Sequence, residues 1–442
     1  MQIDIRFPIS VLALASALAC GSASASGFQI RENSVKALGR ANSGTAVASG
    51  DASVVANNPA AMTNLDSVTF QADVTVIDLT AEYSGGGTTA FGTPLQGGDG
   101  GDPGDATPVP ALAIVVPLRG AFEGLTLGAS VSAPFGLKTE YDAAWLGRYN
   151  AIESDVETID VTLSAGLRLS ERLSAGVGLI YQRADVTLSN GIDFGTALAA
   201  AGVPGFVPQS ADGVVEVSGD DGGIGWVAGL QWRPTDALTL GYSHRSEIDH
   251  VLEGEADFDV PGSAAAVFAA IGNPSFNDGP VYAPLVTPSV DTLSLQYDFS
   301  DRFRMMADVQ RTDWHSLDAV RIFRAGGMQL ANEPFAWKDT WLYSVGGEFD
   351  LSETLTLRAG VAQDETPTID ETRSPRLPDN DRMLYSIGMT WNATDHWSID
   401  AAYSRVEIEG SRVDIASTSG SRLIGDFEGY ADLLGIAAQY RF

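Results

Sequence analysis

Read backwards two residues at a time, the end of the chain separates into an oily set and a largely small or polar one. Phe442, Tyr440, Ala438, Ile436 and Leu434 form the first; Arg441, Gln439, Ala437, Gly435 and Leu433 form the second. Side chains on a strand alternate faces, so this stretch predicts a strand with one apolar face ending in an aromatic pair. The same period returns along most of the chain. Ile159, Val161, Leu163, Ala165 and Leu167 alternate with Asp160, Thr162, Ser164 and Gly166. Trp341, Tyr343, Val345, Gly347 and Phe349 alternate with Ser344 and Glu348, and Met383, Tyr385, Ile387, Met389 and Trp391 with Ser386. Leu173 to Tyr181, Leu355 to Val361 and Trp397 to Tyr403 repeat it. After Tyr403 the apolar phase moves to Val406 and Ile408, which predicts a bulge near Ser404.

Segments of this kind run from 68–83 to 428–442 and number about fourteen. Among them 238–260, 302–322 and 335–349 each read as one strand. The polar set is rich in charge and glycine, and no second hydrophobic layer is available to cover the oily set. The oily face therefore looks outward to lipid. The fold class is an all-β transmembrane barrel of about 14 antiparallel strands, spanning 67–442. Tight turns at Ser170-Glu171-Arg172, Pro234-Thr235-Asp236, Ser300-Asp301 and Ala393-Thr394-Asp395 alternate with long connections such as 189–222 and 261–288. Short turns face the periplasm in such barrels, and an even strand count puts both termini there.

The stretch 26–66 lacks this alternation. It reads as turns and short helices, and the place for such a segment is the lumen, as a plug or hatch. Irregular backbone at membrane depth is tolerated only where a protein wall surrounds it.

Composition adds three points. The one long apolar run, 9–19, is too short to span a bilayer as a helix; it follows Arg6 and precedes Ala23-Ser24-Ala25. That is a secretory signal over 1–25, cleaved near Ala25 or Ser26. The single cysteine, Cys20, leaves with it, so the mature chain forms no internal disulfide. The formal net charge of −31 excludes nucleic acid as a partner, because phosphates are repelled. The acidity reads as solvated loops, and Gly97-Gly98-Asp99-Gly100-Gly101-Asp102 as a flexible surface loop rather than a calcium site.

Gly27-Phe28-Gln29, Leu38-Gly39-Arg40-Ala41 with Ser43-Gly44, and Asn58-Pro59-Ala60 follow one another. Later come Ala133-Pro134-Phe135-Gly136-Leu137, Thr139-Glu140-Tyr141 and Trp145-Leu146-Gly147-Arg148-Tyr149. In order and spacing these pieces resemble the outer-membrane long-chain fatty acid transporter family (FadL type), which includes aromatic hydrocarbon transporters. The aromatic carboxy-terminus likewise resembles the strand that barrel assembly machinery reads. The resemblance implies a hatch at 26–66, a substrate pocket at the mature amino-terminus, and an inward kink of the third strand that opens sideways into the membrane. Substrate is then a long-chain fatty acid or another hydrophobic small molecule, with an aromatic hydrocarbon as the alternative. The surroundings are outer-membrane lipid and lipopolysaccharide. No cofactor or metal is implied, and nothing demands a trimer, so a monomer is expected.

The candidate residues follow from both readings. Phe28 can offer a ring to an acyl chain or anchor the plug. Asn58, Pro59 and Ala60 form a turn by local chemistry, since Asn bonds to nearby backbone and Pro fixes its own φ. The resemblance makes that turn part of the hatch that must shift. Pro134, which has no amide donor, and Gly136, which permits unusual dihedrals, close the third strand and break its pairing. Arg148 sits in an outer loop with roles in structure and capture. Arg168, Arg304 and Arg358 fall on the inner face with Asp160, Asp308, Glu348 and Asp400, and a salt-bridged lumen network is expected there rather than a headgroup site.

A lipid hydrolase is the alternative from another class. It needs a serine, a base and an orienting acid. Only His244, His250, His315 and His396 are available, no Gly-x-Ser-x-Gly elbow occurs, and the pairing of His244 and His250 with Ser243 and Asp249 is a weak signal. A non-enzyme is expected. An open, nonspecific porin is disfavoured by the plug-like segment.

Overall fold

The computed structural model describes residues 27–48 and 50–442. The signal peptide, Cys20 and the cleavage point lie outside the described residues. Nineteen hydrogen-bonded strand segments form a single sheet that closes on itself. Five of them resume a wall strand after a short interruption, leaving fourteen wall strands. They are β1 (Thr69–Thr88), β2 (Thr107–Pro117), β3 (Leu125–Ser132, resuming Gly136–Glu140), β4 (Glu153–Ser170), β5 (Leu173–Asp193) and β6 (Asp212–Trp232). Next come β7 (Leu238–Arg245, Ile248–Asp259), β8 (Gly279–Thr287, Val290–Ser300), β9 (Phe303–Thr312, Ala319–Arg324) and β10 (Gln329–Pro334, Thr340–Asp350). The last four are β11 (Leu355–Asp364), β12 (Arg382–Asn392), β13 (Trp397–Ala416) and β14 (Arg422–Arg441). β1 closes the cylinder against β14, in register from Thr69↔Arg441 to Thr88↔Arg422. Among the described residues no helix is long and apolar enough to cross a membrane.

The two-residue period falls as the alternation predicts. On β14 Ile436 is 61% exposed and Leu434 58%, whereas Gln439 is fully buried. Ile387 and Val177 are exposed, while Ser386 and Thr162 are buried. The exposed set is bare hydrocarbon and ring, a surface that only lipid covers at low free energy.

Several boundaries differ from expectation. The three long strands are interrupted: β7 at Ser246–Glu247, β9 at 313–318 and the β10 region at 335–339. Nearly half of the connection 189–222 is wall, since β5 and β6 stay paired out to Asp193↔Asp212, and 261–288 contains the first half of β8. No bulge lies near Ser404; the register of β13 shifts between Ile408 and Ser411 instead. Val406 is buried on the inner face, packed with hatch residues, so an apolar inward residue mimicked a change of phase. The loop 97–102 is pinned rather than free: Leu146 N donates to Gly98 O at 2.9 Å and Asp142 N to Gly100 O at 3.1 Å.

The described residues 27–48 and 50–66 fill the lumen. They carry α1 (Val35–Leu38), α2 (Val54–Asn57) and a 3-10 turn (Pro59–Asn64). Val35 and Leu38 pack with Leu384, Val406, Leu433 and Ala437 of the wall. The wall makes room for this backbone with glycine. An added Cβ at Gly388 would lie 2.8 Å from the Cα of Gly39, and one at Gly176 would strike Pro59 and Ala60. Lumen carboxylates complete the seat. Asp73 on β1 accepts from Val35 N at 2.9 Å, and Asp308 on β9 accepts from Gly44 N at 2.6 Å and from Thr45 N and Oγ1. Bonds of this kind contribute about 0.5–1.5 kcal/mol each, and together they hold an irregular segment in one position.

Candidate functional site

Phe28 sits where the hatch meets the wall. Its ring lies 4.8 Å from Trp314, 5.8 Å from Trp337 and 5.9 Å from Phe135, and Phe335 stacks on Trp337 at 4.7 Å. Trp314 lies in the interruption of β9 and Trp337 in that of β10. The broken strands therefore turn their rings inward around one hatch side chain. Beside this cluster is a cavity of ≈ 70 Å³ walled by Phe28, Leu137, Val156, Val186, Leu252, Leu285, Leu317, Phe335, Trp337 and Leu377. Its polar members include Ser154, Glu333, Thr372, Arg373, Ser374 and Arg376.

Those cations come from 365–381, which folds inward over the hatch. Tyr141 Oη donates to Pro375 O at 2.7 Å and Thr139 Oγ1 to Arg376 O at 3.1 Å. Asp379 accepts from Gly27 N at 3.1 Å. Arg376 pairs with Glu333 at 3.0 Å and donates to Glu153 O, Ser154 Oγ and Asn190 Oδ1. Arg373 pairs with Asp370 and donates to Asp379 O. The polar end thus offers donors whose charge is already balanced.

Behind Phe28 the wall itself is broken. β2 and β3 share ladder pairs only from Pro117↔Thr126 to Leu112↔Val131. β3 does not end at Pro134 and Gly136, as the sequence reading had it; it resumes at Gly136 and pairs with β4 alone, from Gly136↔Glu157 to Glu140↔Glu153. The hatch supplies the missing partner. Ile30 N donates to Pro134 O and Gly136 N to Phe28 O, each at 2.7 Å, and Gln29 bridges Phe135 in antiparallel fashion. Gly136 does not adopt positive φ, so its conformational freedom goes unused. On the other side, Phe135 N donates to Thr158 Oγ1 at 3.0 Å. A second chamber of ≈ 100 Å³, lined by Ile30, Arg31, Pro134, Asp160 and Arg245 among others, lies against this break.

The other candidates are elsewhere. Asn58 is fully buried; its Oδ1 accepts from Ala60 N at 3.1 Å while its Nδ2 donates to Ala46 O at 2.7 Å and to Leu230 O of β6 at 3.2 Å. Pro59 begins the 3-10 turn, where a missing amide costs nothing. Asn58, Pro59 and Ala60 bolt the hatch to the wall and do not line the cavity. Arg148 organises the outer loops. Its guanidinium pairs with Asp212 at 2.9 Å and donates to Gln96 O and Trp145 O at 2.8 Å. Tyr149 Oη donates to Asp212 at 2.8 Å, and burial pushes its phenol up, so it stays a neutral donor. In the lumen, Glu348 receives Arg304 at 2.7 Å and both Arg40 and Arg358 at 2.8 Å, and Arg168 donates to Thr63 O. Arg304, Arg358, Glu348 and Asp400 form part of the expected salt-bridged network, with hatch residue Arg40 built into it, while Asp160 pairs with Arg245, Asp308 binds hatch residues Gly44 and Thr45, and Arg168 reaches a hatch carbonyl instead of a carboxylate.

Sequence reasoning missed Trp314, Trp337 and the segment 365–381. The one available signal was a tryptophan next to polar breaks, Asp313-Trp314-His315-Ser316 and Ala336-Trp337-Lys338-Asp339, inside runs read as strand.

A closed fourteen-stranded barrel with a hatch bonded into its lumen is the architecture of an outer-membrane transport protein. The chain belongs to the outer membrane protein transport protein family (OMPP1/FadL/TodX), whose model matches residues 16–442. A putative outer membrane protein of Neisseria meningitidis serogroup B is 30% identical, over 98% of each chain. The long-chain fatty acid transport protein of Escherichia coli K12 is 27% identical over 92% of this chain and 94% of its own. Among solved structures, a Pseudomonas aeruginosa FadL homologue matches with a TM-score of 0.89 at 29% identity, over 94% of this chain and all of that one. The Pseudomonas putida toluene transporter TodX matches in fold, with a TM-score of 0.68 at 18% identity over 92% and 97% of the two chains. The family is one of transporters, not enzymes, and its home is the Gram-negative outer membrane.

Proposed function

We propose that the protein carries long-chain fatty acids inward without an energy source, by capture at the outer loops, binding beside Phe28, and sideways exit through the break in β3. One observation carries the reading: Phe28 both walls the apolar cavity and accepts the amide of Gly136 at the break. An acyl chain that displaces the Phe28 ring pulls on the two hydrogen bonds that fill the gap between β2 and β3. The hatch then yields at its amino-terminal end while Asn58 and Glu348 hold the rest.

The sideways route suits the cargo. Each methylene kept out of periplasmic water retains about 0.8 kcal/mol. A fatty chain that left through the polar lumen would lose that for its whole length. The aliphatic walls Leu137, Val156, Val186, Leu252 and Leu285 suit an acyl chain, and a substrate carboxylate would have to compete with Glu333 for Arg376 and Ser374 at the polar end. Loop capture is supported by an apolar cluster outside the wall, where Phe194, Leu198 and Ala264 pack with Phe268 and Phe276 of the segments after β5 and β7. The names of the Escherichia coli, Salmonella typhi and Shigella flexneri relatives support the same cargo. Displacement of a fluorescent fatty acid from detergent-purified protein tests the assignment. Oleate is expected to compete and toluene is not; competition by toluene alone would move the assignment to aromatic hydrocarbons.

A further inference from the structure

The two interruptions that aim Trp314 and Trp337 inward also meet on the outer side of the wall. There Asp313, His315 and Asp339 converge, with a ligand atom of each within 4.8 Å of the others. His315 Nδ1 lies 2.5 Å from Asp313 Oδ1 and 2.8 Å from Asp339 Oδ1. Asp313 Oδ1 is shielded from solvent and has no hydrogen bond of acceptable geometry, although the imidazole is so near. Three ligand atoms thus point at one another with one of them unsatisfied.

The neighbours fix the arrangement. Arg311 Nη2 donates to Asp339 Oδ2 at 2.5 Å, which orients that carboxylate and leaves Oδ1 to the cluster. The backbone amide of His315 also reaches Asp339 Oδ1, at 3.3 Å. His315 is well exposed, so an ion can reach the site from outside. Two carboxylate oxygens and one imidazole nitrogen are a donor set for a borderline divalent ion, and ligating carboxylates are themselves hydrogen-bonded from outside, as Asp339 is by Arg311.

We propose that Asp313, His315 and Asp339 bind one divalent transition-metal ion of the zinc class, and that the ion staples the turn after the first half of β9 to the turn before the second half of β10. Asp313 and His315 flank Trp314, and Asp339 is two residues beyond Trp337; the two indoles stand 5.2 Å apart against Phe28. An ion on the outside therefore fixes the spacing of the two rings that hold the hatch inside. The site does not depend on which hydrophobic molecule the protein carries.

Zinc or cobalt titrated into chelator-stripped, detergent-purified full chain tests this, with amide hydrogen exchange read in parallel. The expected result is one ion per chain, lost in His315→Ala and in Asp339→Asn, kept in His396→Ala, and about 10–100-fold weaker in Arg311→Gln. Heat-modifiable migration confirms that each variant is a folded barrel. Zinc should slow exchange at both 313–317 and 337–339 in the wild type and not in His315→Ala. No stoichiometric ion, or an ion that His315→Ala and Asp339→Asn both retain, overturns the site. An ion that leaves exchange in either turn unchanged overturns the staple.

Discussion

The amide of Gly136 donates to the carbonyl of Phe28 at 2.7 Å, and that bond joins a wall strand to the plug inside it. Residues 28–30 act as a fragment of strand in the position that β2 has left. A barrel wall with an unpaired stretch exposes backbone groups at several kcal/mol each in hydrocarbon. Here the hatch satisfies two of them, Pro134 O and Gly136 N, so a shift of residues 28–30 would leave both unpaired.

Phe28→Ala removes the ring that Trp314, Trp337 and Phe135 surround. The backbone bonds at the break remain, so the barrel should assemble and keep its hatch. Affinity for a fluorescent fatty acid should fall about tenfold or more, since each aromatic pair contributes about 0.5–1.5 kcal/mol beyond its buried area. Unchanged affinity in titration would remove Phe28 from the pocket.

Asn58→Ala should loosen the hatch without touching the cavity. It deletes the bonds to Ala46 O, Leu230 O and Ala60 N in a site that water does not reach. The buried carbonyls left behind cost about 1–3 kcal/mol each. Hydrogen exchange over 44–64 should accelerate while exchange in β12 to β14 stays slow, and planar-bilayer recordings should show more open current than the wild type.

Glu348→Ala should be the most damaging single change in the lumen. It strips a shared partner from Arg40, Arg304 and Arg358 at once. Breaking a buried pair by removing one partner costs about 3–5 kcal/mol. Guanidinium unfolding should lose that much, and Arg40→Met made in the same background should return part of it by removing one stranded cation.

Much of this was legible in the residues. Ile436, Ile387 and Val177 announced a lipid-facing side because nothing of matching periodicity existed to cover them. The hatch announced itself by having no period at all. What escaped notice was whatever the hatch touches. Val406 is apolar and inward because Leu38 and Val35 pack in its cluster, and from sequence that looks like a slipped strand. Trp314 and Trp337 are apolar in strand-like runs, and only a partner far away in the chain, Phe28, distinguishes a ring turned into a pocket from one turned to lipid. Asn58-Pro59-Ala60 was recognisable as a turn, but its bond to Leu230 depends on a wall closed around it. The period reports local backbone geometry; the pocket is made of long-range contacts.

The central claim is that fatty acid leaves through the break at β3 when residues 28–30 let go. Gln29 and Phe135 face each other across that bridge, flanked by the two 2.7 Å bonds. Such an opposed pair brings side chains close enough for a disulfide. The measurement is uptake of radiolabelled oleate by cells carrying Gln29→Cys with Phe135→Cys, oxidised and then reduced, with cross-linking scored by gel mobility. The account predicts that uptake stops when the pair is fully cross-linked and returns on reduction. Wild-type uptake through a fully cross-linked pair would contradict it.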